Sequence, residues 1–195
     1  MGASSARLHY GFRMRTAPAL LTLLALSVAL TGCVPDEDPI VVDPDPSVTP
    51  IFESDEEALA AAEAAYGEYF AVQDQILIEG GQQPERVSPY VSEGFYSDLV
   101  EGFALYSENG WHSSSETSYD SFRLQQHIEE KAGATVIAYL CLDVTRARII
   151  DSSGADVTPA SRADRVPIET NVEFSSADRG VVTRSDFWSG EDFCV

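Results

Sequence analysis

The spacing of apolar residues in this chain changes once, near residue 119, and that change limits the folds open to it. Leu59, Ala62, Tyr66, Tyr69, Phe70, Gln73, Ile76 and Leu77 recur mostly three or four apart, the spacing of one helix face. Ser54 followed by Glu57 forms a capping box, and Asp55, Glu56 and Glu57 suit the positive helix start. Gly80-Gly81 ends the helix. Pro84 to Val87 predicts a short helix limited by Pro89, and Ser92 to Glu108 predicts a second long one, with Phe95, Leu99, Phe103 and Tyr106 on its stripe. Asn109-Gly110 stops it.

From 119 the period is two. Phe122, Leu124 and Ile128 are expected on one face of a strand over 119–130, with Arg123, Gln125, His127 and Glu129 turned to solvent. Residues 113–118 read as a loop or the start of an edge strand. After a turn at Lys131–Gly133, residues 134–150 predict a central strand, apolar on both faces, that bends and continues through Ala147, Ile149 and Ile150. Asp151 to Pro159 reads as a turn. Its acids lack the later Glu and the spacing of an EF-hand. Alternation returns over 166–174 and, past Gly180, over 181–188. Connections this short imply an antiparallel meander. A sheet with one apolar face needs a cover, which the N-terminal helices supply. The fold class expected is α+β, as one domain over 55–195, and about 140 residues suffice to bury one core.

The N-terminal third has a different character. Arg7, Arg13 and Arg15 precede an apolar run from Ala17 to Leu30, the layout of a secretory signal. At ~1.5 Å per residue that run makes roughly 21 Å of helix, short of the ~30 Å hydrocarbon core. It ends in Leu30-Thr31-Gly32-Cys33. This tetrapeptide resembles the lipobox of bacterial lipoproteins, in which the thiol is acylated and the chain is cut before the cysteine. The resemblance implies a signal peptide at 1–32, a lipidated Cys33 and an anchor on the extracytoplasmic face of the cell membrane. An uncleaved membrane anchor and an ordinary secretory peptide are the competing readings. Residues 33–54 read as a tether, because Pro35, Pro39, Pro44, Pro46 and Pro50 alternate with acids in a composition that favours extended chain.

The chain carries 12 basic and 32 acidic residues, a net charge of −20. Without residues 1–32, nine basic residues stand against 32 acids, a net of −23. Phosphate backbones repel such a surface, so nucleic acid is not an expected partner. Anionic head groups repel it too, which leaves membrane affinity to acyl chains, two of which anchor stably. With Cys33 acylated, Cys141 and Cys194 form an even pair in an oxidising compartment. A bond between them would close a loop of about 53 residues, worth about 4 kcal/mol in the chain-entropy model, and staple the C-terminal tail to the sheet. Cys and His are too few for a zinc site, and no metal or cofactor is expected.

The order of elements from 54 to 190 resembles the NTF2-like superfamily, also called SnoaL-like or cystatin-like α+β. There a curved sheet wraps a long N-terminal helix into a cone. Together with the lipobox and the acidic tether, it also resembles actinobacterial lipoproteins. The resemblance implies a pocket, with Tyr66, Phe70, Trp111 and Trp188 as candidate walls. These aromatics also read as core, and Trp111, Trp188 and Phe187 also as an exposed ligand or partner surface. Some members transfer protons in the cone. The groups that would serve here are Tyr66 or Tyr69 with Asp74 or His112, although none matches a known catalytic set, and Asp74 and His112 also read as surface. No phosphate loop, nucleophile elbow or His-Glu-x-x-His helix is present, and Cys141 sits within a strand. Three functions follow as expectations: a non-catalytic lipoprotein domain that binds a small apolar ligand or an envelope protein, a cofactor-free isomerase or dehydratase, and a structural envelope module.

Overall fold

The computed structural model describes residues 49–194. The expected signal peptide, Cys33 and most of the expected tether lie outside the described residues. Helix α1 is Asp55–Ile78. It starts where expected: the Ser54 hydroxyl accepts from Glu57 N at 3.2 Å, and the Glu57 carboxylate accepts from Glu53 N at 2.8 Å. It ends in a turn through Gly80 and Gly81, both left-handed at φ 72° and 76°. A β-carbon on Gly81 would stand 2.1 Å from the Phe103 carbonyl oxygen, so only glycine lets this turn pack under the next helix. A 3₁₀ helix follows at Pro84–Tyr90 and runs through Pro89 rather than stopping at it. Helix α2 is Glu93–Asn109, closed by Gly110 at φ 65°.

Strands β2 (Ser118–Glu130), β3 (Gly133–Asp143), β5 (Arg165–Ser176) and β6 (Arg179–Phe187) form an antiparallel sheet in the order β2-β3-β5-β6. Two two-residue strands, β1 (His112–Ser113) and β4 (Ile149–Ile150), pair separately. The long strand expected over 134–150 therefore ends at Asp143. The Asp143 carboxylate accepts from Thr145 N at 2.9 Å, Ala147 N bonds back to the Val144 oxygen at 3.1 Å, and Arg162 donates to both the Val144 and the Ala147 carbonyls. That turn sends Ile149 and Ile150 to a different partner.

The protein is α+β, with its N-terminal helices packed on one face of an antiparallel sheet. Ala58, Ala62, Tyr66, Tyr69 and Phe70 of α1 meet Val136, Leu140, Val172 and Val182 of the sheet, all buried. Among the described residues no helix is long and apolar enough to cross a membrane. Cys141 and Cys194 stand in disulfide geometry, Cα–Cα 5.5 Å. This places the C-terminal tail on the other face of the sheet, where Trp188 and Phe193 pack on Tyr139 at 4.9 and 5.6 Å between ring centroids.

The expected faces of β2 need correction. The strand is bulged twice against β3, between Asp120 and Arg123 and between Leu124 and Gln126. Each bulge inserts one residue and reverses the alternation. Tyr119, Phe122 and Leu124 face α1, and beyond the second bulge His127 and Glu129 face it as well, opposite Val136 and Ala134. The His127 side chain is 8% exposed, not solvated. Its Nδ1 lies 3.0 Å from Asp55 Oδ1 and its Nε2 2.9 Å from Glu129 Oε1. Glu129 also accepts from Ile51 N at 2.9 Å and Phe52 N at 3.0 Å. Phe52 is buried against Phe174, ring centroids 4.9 Å apart. The packed core thus reaches back to the point where the chain enters the domain.

Burial pushes the Glu129 carboxyl up, but the Ile51 and Phe52 amides and His127 outweigh it and hold it below its ordinary value of 4.5. A depressed carboxyl stabilises the fold fully above its unfolded value, and that contribution is lost as pH falls through the folded value. Glu129→Gln is expected to cost about 1–2 kcal/mol at pH 7. The gap between wild type and variant in urea melts should close as pH drops below 4.5. A gap unchanged down to pH about 3 would show that ionised Glu129 does not clamp the chain entry.

Candidate functional site

Where α1 and α2 diverge from the sheet they leave a pocket of about 250 Å³. Its apolar walls are Phe70 of α1, Phe95 and Leu99 of α2, and Leu142 and Ile168 of the sheet. Phe187, the last residue of β6, stands at the mouth with 74% of its surface exposed. A cleft of about 310 Å³ is bounded by Glu116, Ser118, Asp143, Thr145 and Arg146, all polar, and one of about 320 Å³ at the strand turns mixes Ala132, Phe174 and Val181 with Glu173, Ser175 and Arg179. The pocket under the helices is the one with apolar walls and converging polar atoms, the usual make-up of a small-molecule site.

The polar wall comes from α1 and β6. The Tyr66 hydroxyl lies 3.4 Å from Ser185 Oγ, and Tyr69 donates its hydroxyl proton to Gln73 Oε1 one turn further on. Tyr66 and Tyr69 are each 2% exposed. Burial raises both phenols above their ordinary value of 10.0, so they are neutral donors throughout the physiological range. Asp186 lies at the rim, 59% exposed and paired with Arg184 at 2.6 Å. The lining therefore supplies hydrogen bonds to a ligand. General acid–base work needs a group that titrates near the working pH, and burial moves the phenols away from it.

Several expected site residues stand elsewhere. Asp74 is buried, but its carboxylate accepts from Thr117 N at 2.9 Å and Thr117 Oγ1 at 2.8 Å, holding the segment that leads into β2. His112 is exposed on β1 opposite Ile150. Trp111 packs edge-on against Tyr106 at 6.1 Å. Trp188 lies on the outer sheet face against Tyr139. Of the proposed walls, Tyr66 and Phe70 line the pocket, and Trp111 and Trp188 do not. Tyr69 lines it too, without Asp74 or His112 beside it. Phe95, Leu99, Leu142, Ile168 and Ser185 were not singled out as site residues, whereas Phe187 was expected, with Trp111 and Trp188, on an exposed ligand or partner surface. Phe187 carried the one usable signal, a large aromatic closing a strand of mostly polar residues.

The pocket and the chain entry occupy opposite ends of the sheet. Glu129, which holds Ile51 and Phe52, faces Ala134 of β3, whereas the pocket wall residue Leu142 lies eight residues further along the same strand. At ~3.3 Å per residue the separation is about 26 Å.

No family model and no curated protein matches the chain. Among solved structures, the intermembrane space region of the chloroplast protein ARC6 is similar, with a TM-score of 0.50 and 15% identity over 68% of this chain and 97% of that one. A protein from Catenulispora acidiphila in complex with S-DNPA aligns with a TM-score of 0.37 and 13% identity, over 66% of this chain and 92% of that one. At such identities the ARC6 likeness is one of fold.

Because the buried Asp74 carboxylate accepts both the Thr117 amide and its hydroxyl, Asp74→Asn should destabilise the domain by about 1–3 kcal/mol. Thermal denaturation reads that loss. A melting temperature equal to wild type would remove the structural role assigned to this carboxylate.

Proposed function

We propose that this chain is a lipid-anchored extracytoplasmic protein whose folded domain binds a small apolar ligand between α1, α2 and the sheet. The observation that carries the binding half is the pocket itself: buried aromatic and aliphatic walls, two neutral phenols on one side, and the exposed Phe187 at its mouth. The helix–helix–sheet order supports an NTF2-like cone, of which this pocket is the wide end. The lipobox at Leu30–Cys33 supports the anchoring half.

Binding is favoured over the isomerase or dehydratase alternative because Tyr66, Tyr69, Asp74 and His112 do not converge on one cavity. Only the two phenols share it. Burial raises both phenols away from the working pH, and the third titratable group of the lining, Asp186, is held by Arg184 at the exposed rim.

The two halves have separate tests. Cys33→Ser should abolish labelling by radioactive palmitate and release the chain from the membrane fraction. Continued labelling would sink the anchor. For the pocket, Leu142→Trp fills the cavity with an indole. Organic extracts of wild type purified from its native membranes should contain a small apolar species, seen by mass spectrometry, that the Leu142→Trp extract lacks. Identical extracts would refute ligand binding at this site.

A further inference from the structure

We infer that the pocket selects an uncharged, largely apolar molecule bearing one hydrogen-bond acceptor of the carbonyl type, which docks on the Tyr66–Ser185 hydroxyl pair beside Gln73. This rests on the binding reading above and adds the chemistry of the ligand to it.

Counting protons leads there. Tyr66 and Ser185 carry one hydroxyl proton each and share a single hydrogen bond of 3.4 Å, in which either is the donor. One proton of the pair is left to donate. Tyr69 gives its own proton to Gln73 Oε1. Both hydroxyls of the Tyr66–Ser185 pair line the cavity and Tyr66 is buried there, so whichever of them keeps the second proton is a donor that is costly to leave without an acceptor.

Charge narrows the acceptor. Neither lysine nor arginine lines the pocket among the described residues, and the carboxylate at its rim is Asp186. The whole chain carries a net −20. An anionic acceptor would enter against this field with no cation to meet it. A neutral carbonyl accepts the same proton without that cost. At about 250 Å³ the cavity is smaller than the roughly 300–1,000 Å³ of drug-sized sites, which suits a compact ring system of about a dozen heavy atoms. Phe70, Phe95 and Phe187 offer ring faces and edges to such a body.

The test compares three probes of nearly equal size by equilibrium dialysis against the full chain in lipid nanodiscs, with empty nanodiscs correcting for partition. The probes are 2-acetylnaphthalene, 2-ethylnaphthalene and 2-naphthoate. The net worth of one hydrogen bond predicts that the ketone binds about five- to tenfold tighter than the hydrocarbon. Naphthoate should bind more weakly than the ketone. In Tyr66→Phe/Ser185→Ala the ketone should fall to the level of the hydrocarbon, while 2-ethylnaphthalene binding is kept and reports an intact pocket. Equal binding of ketone and hydrocarbon to wild type would overturn this inference and leave ligand binding standing, as would naphthoate binding tightest. Absence of binding by all three, beyond the empty discs, would overturn both. If the double variant fails to fold, the wild-type ratio alone still decides, and Ser185→Ala, which only deletes a hydroxyl, supplies the variant arm.

Discussion

Helix α1 lies along the inner face of the sheet, and that contact persists over the length of β2 because the strand is irregular. A regular strand presents every second residue to one face. Facing α1, β2 instead presents Tyr119, Phe122, Leu124, His127 and Glu129, with steps of three, two, three and two. The two bulges supply the extra residues, and each adds twist and bend. On the opposite edge β6 is shifted in the same way between its pairings with Asn171 and Val172, so that Val182, Ser185 and Phe187 share the inner face. Both edges thereby curl toward the helix. Ser185 and Phe187 reach the pocket because of the shift in β6, and His127 reaches Asp55 because of the second shift in β2.

The width of the space under α1 follows from side-chain size along the helix. Its first half is buried through Ala58 and Ala62, its second half through Tyr66, Tyr69 and Phe70. Methyl groups let the helix settle close to the sheet near Phe52 and Phe174, while the aromatic rings hold it off further along. The rings stack on one another and on Tyr119, with centroids 5.0–5.9 Å apart. Such packing braces the wide end without filling it. A graded helix on a curled sheet makes a wedge-shaped space, and the pocket is its open end.

This account explains what the sequence could disclose. The helices were legible because their apolar spacing, caps and stopping glycines agree with one another, and the α+β order followed from the single change of period. The pairing of Cys141 with Cys194 was legible from arithmetic and compartment. The bulges were not, since an inserted residue such as Gln125 has no composition of its own. Reading β2 as regular therefore sent His127 to solvent. Trp188 was assigned to the pocket on size, yet it follows Phe187 in an alternating strand and so belongs to the other face. Asp74 reads equally as a surface acid and as a catalytic one, and it is buried instead. Its partner, Thr117, is 43 residues away.

The same packing sets the chemistry of the hydroxyls that line the cavity. A phenol transfers protons well when its surroundings bring its pKa toward the working pH, through a nearby cation or donors to the phenolate. Tyr66 and Tyr69 have the reverse: low-dielectric walls raise both phenols, and the Ser185 hydroxyl, which pulls the other way, does not offset that burial. The packing that props the wedge open is therefore what fixes the phenols as donors. The donors sit at the end of the sheet opposite the one where Glu129 holds Ile51 and Phe52. Fold and chemistry here have one origin, the placement of large aromatic residues on the distal half of α1, and a change there would alter both together.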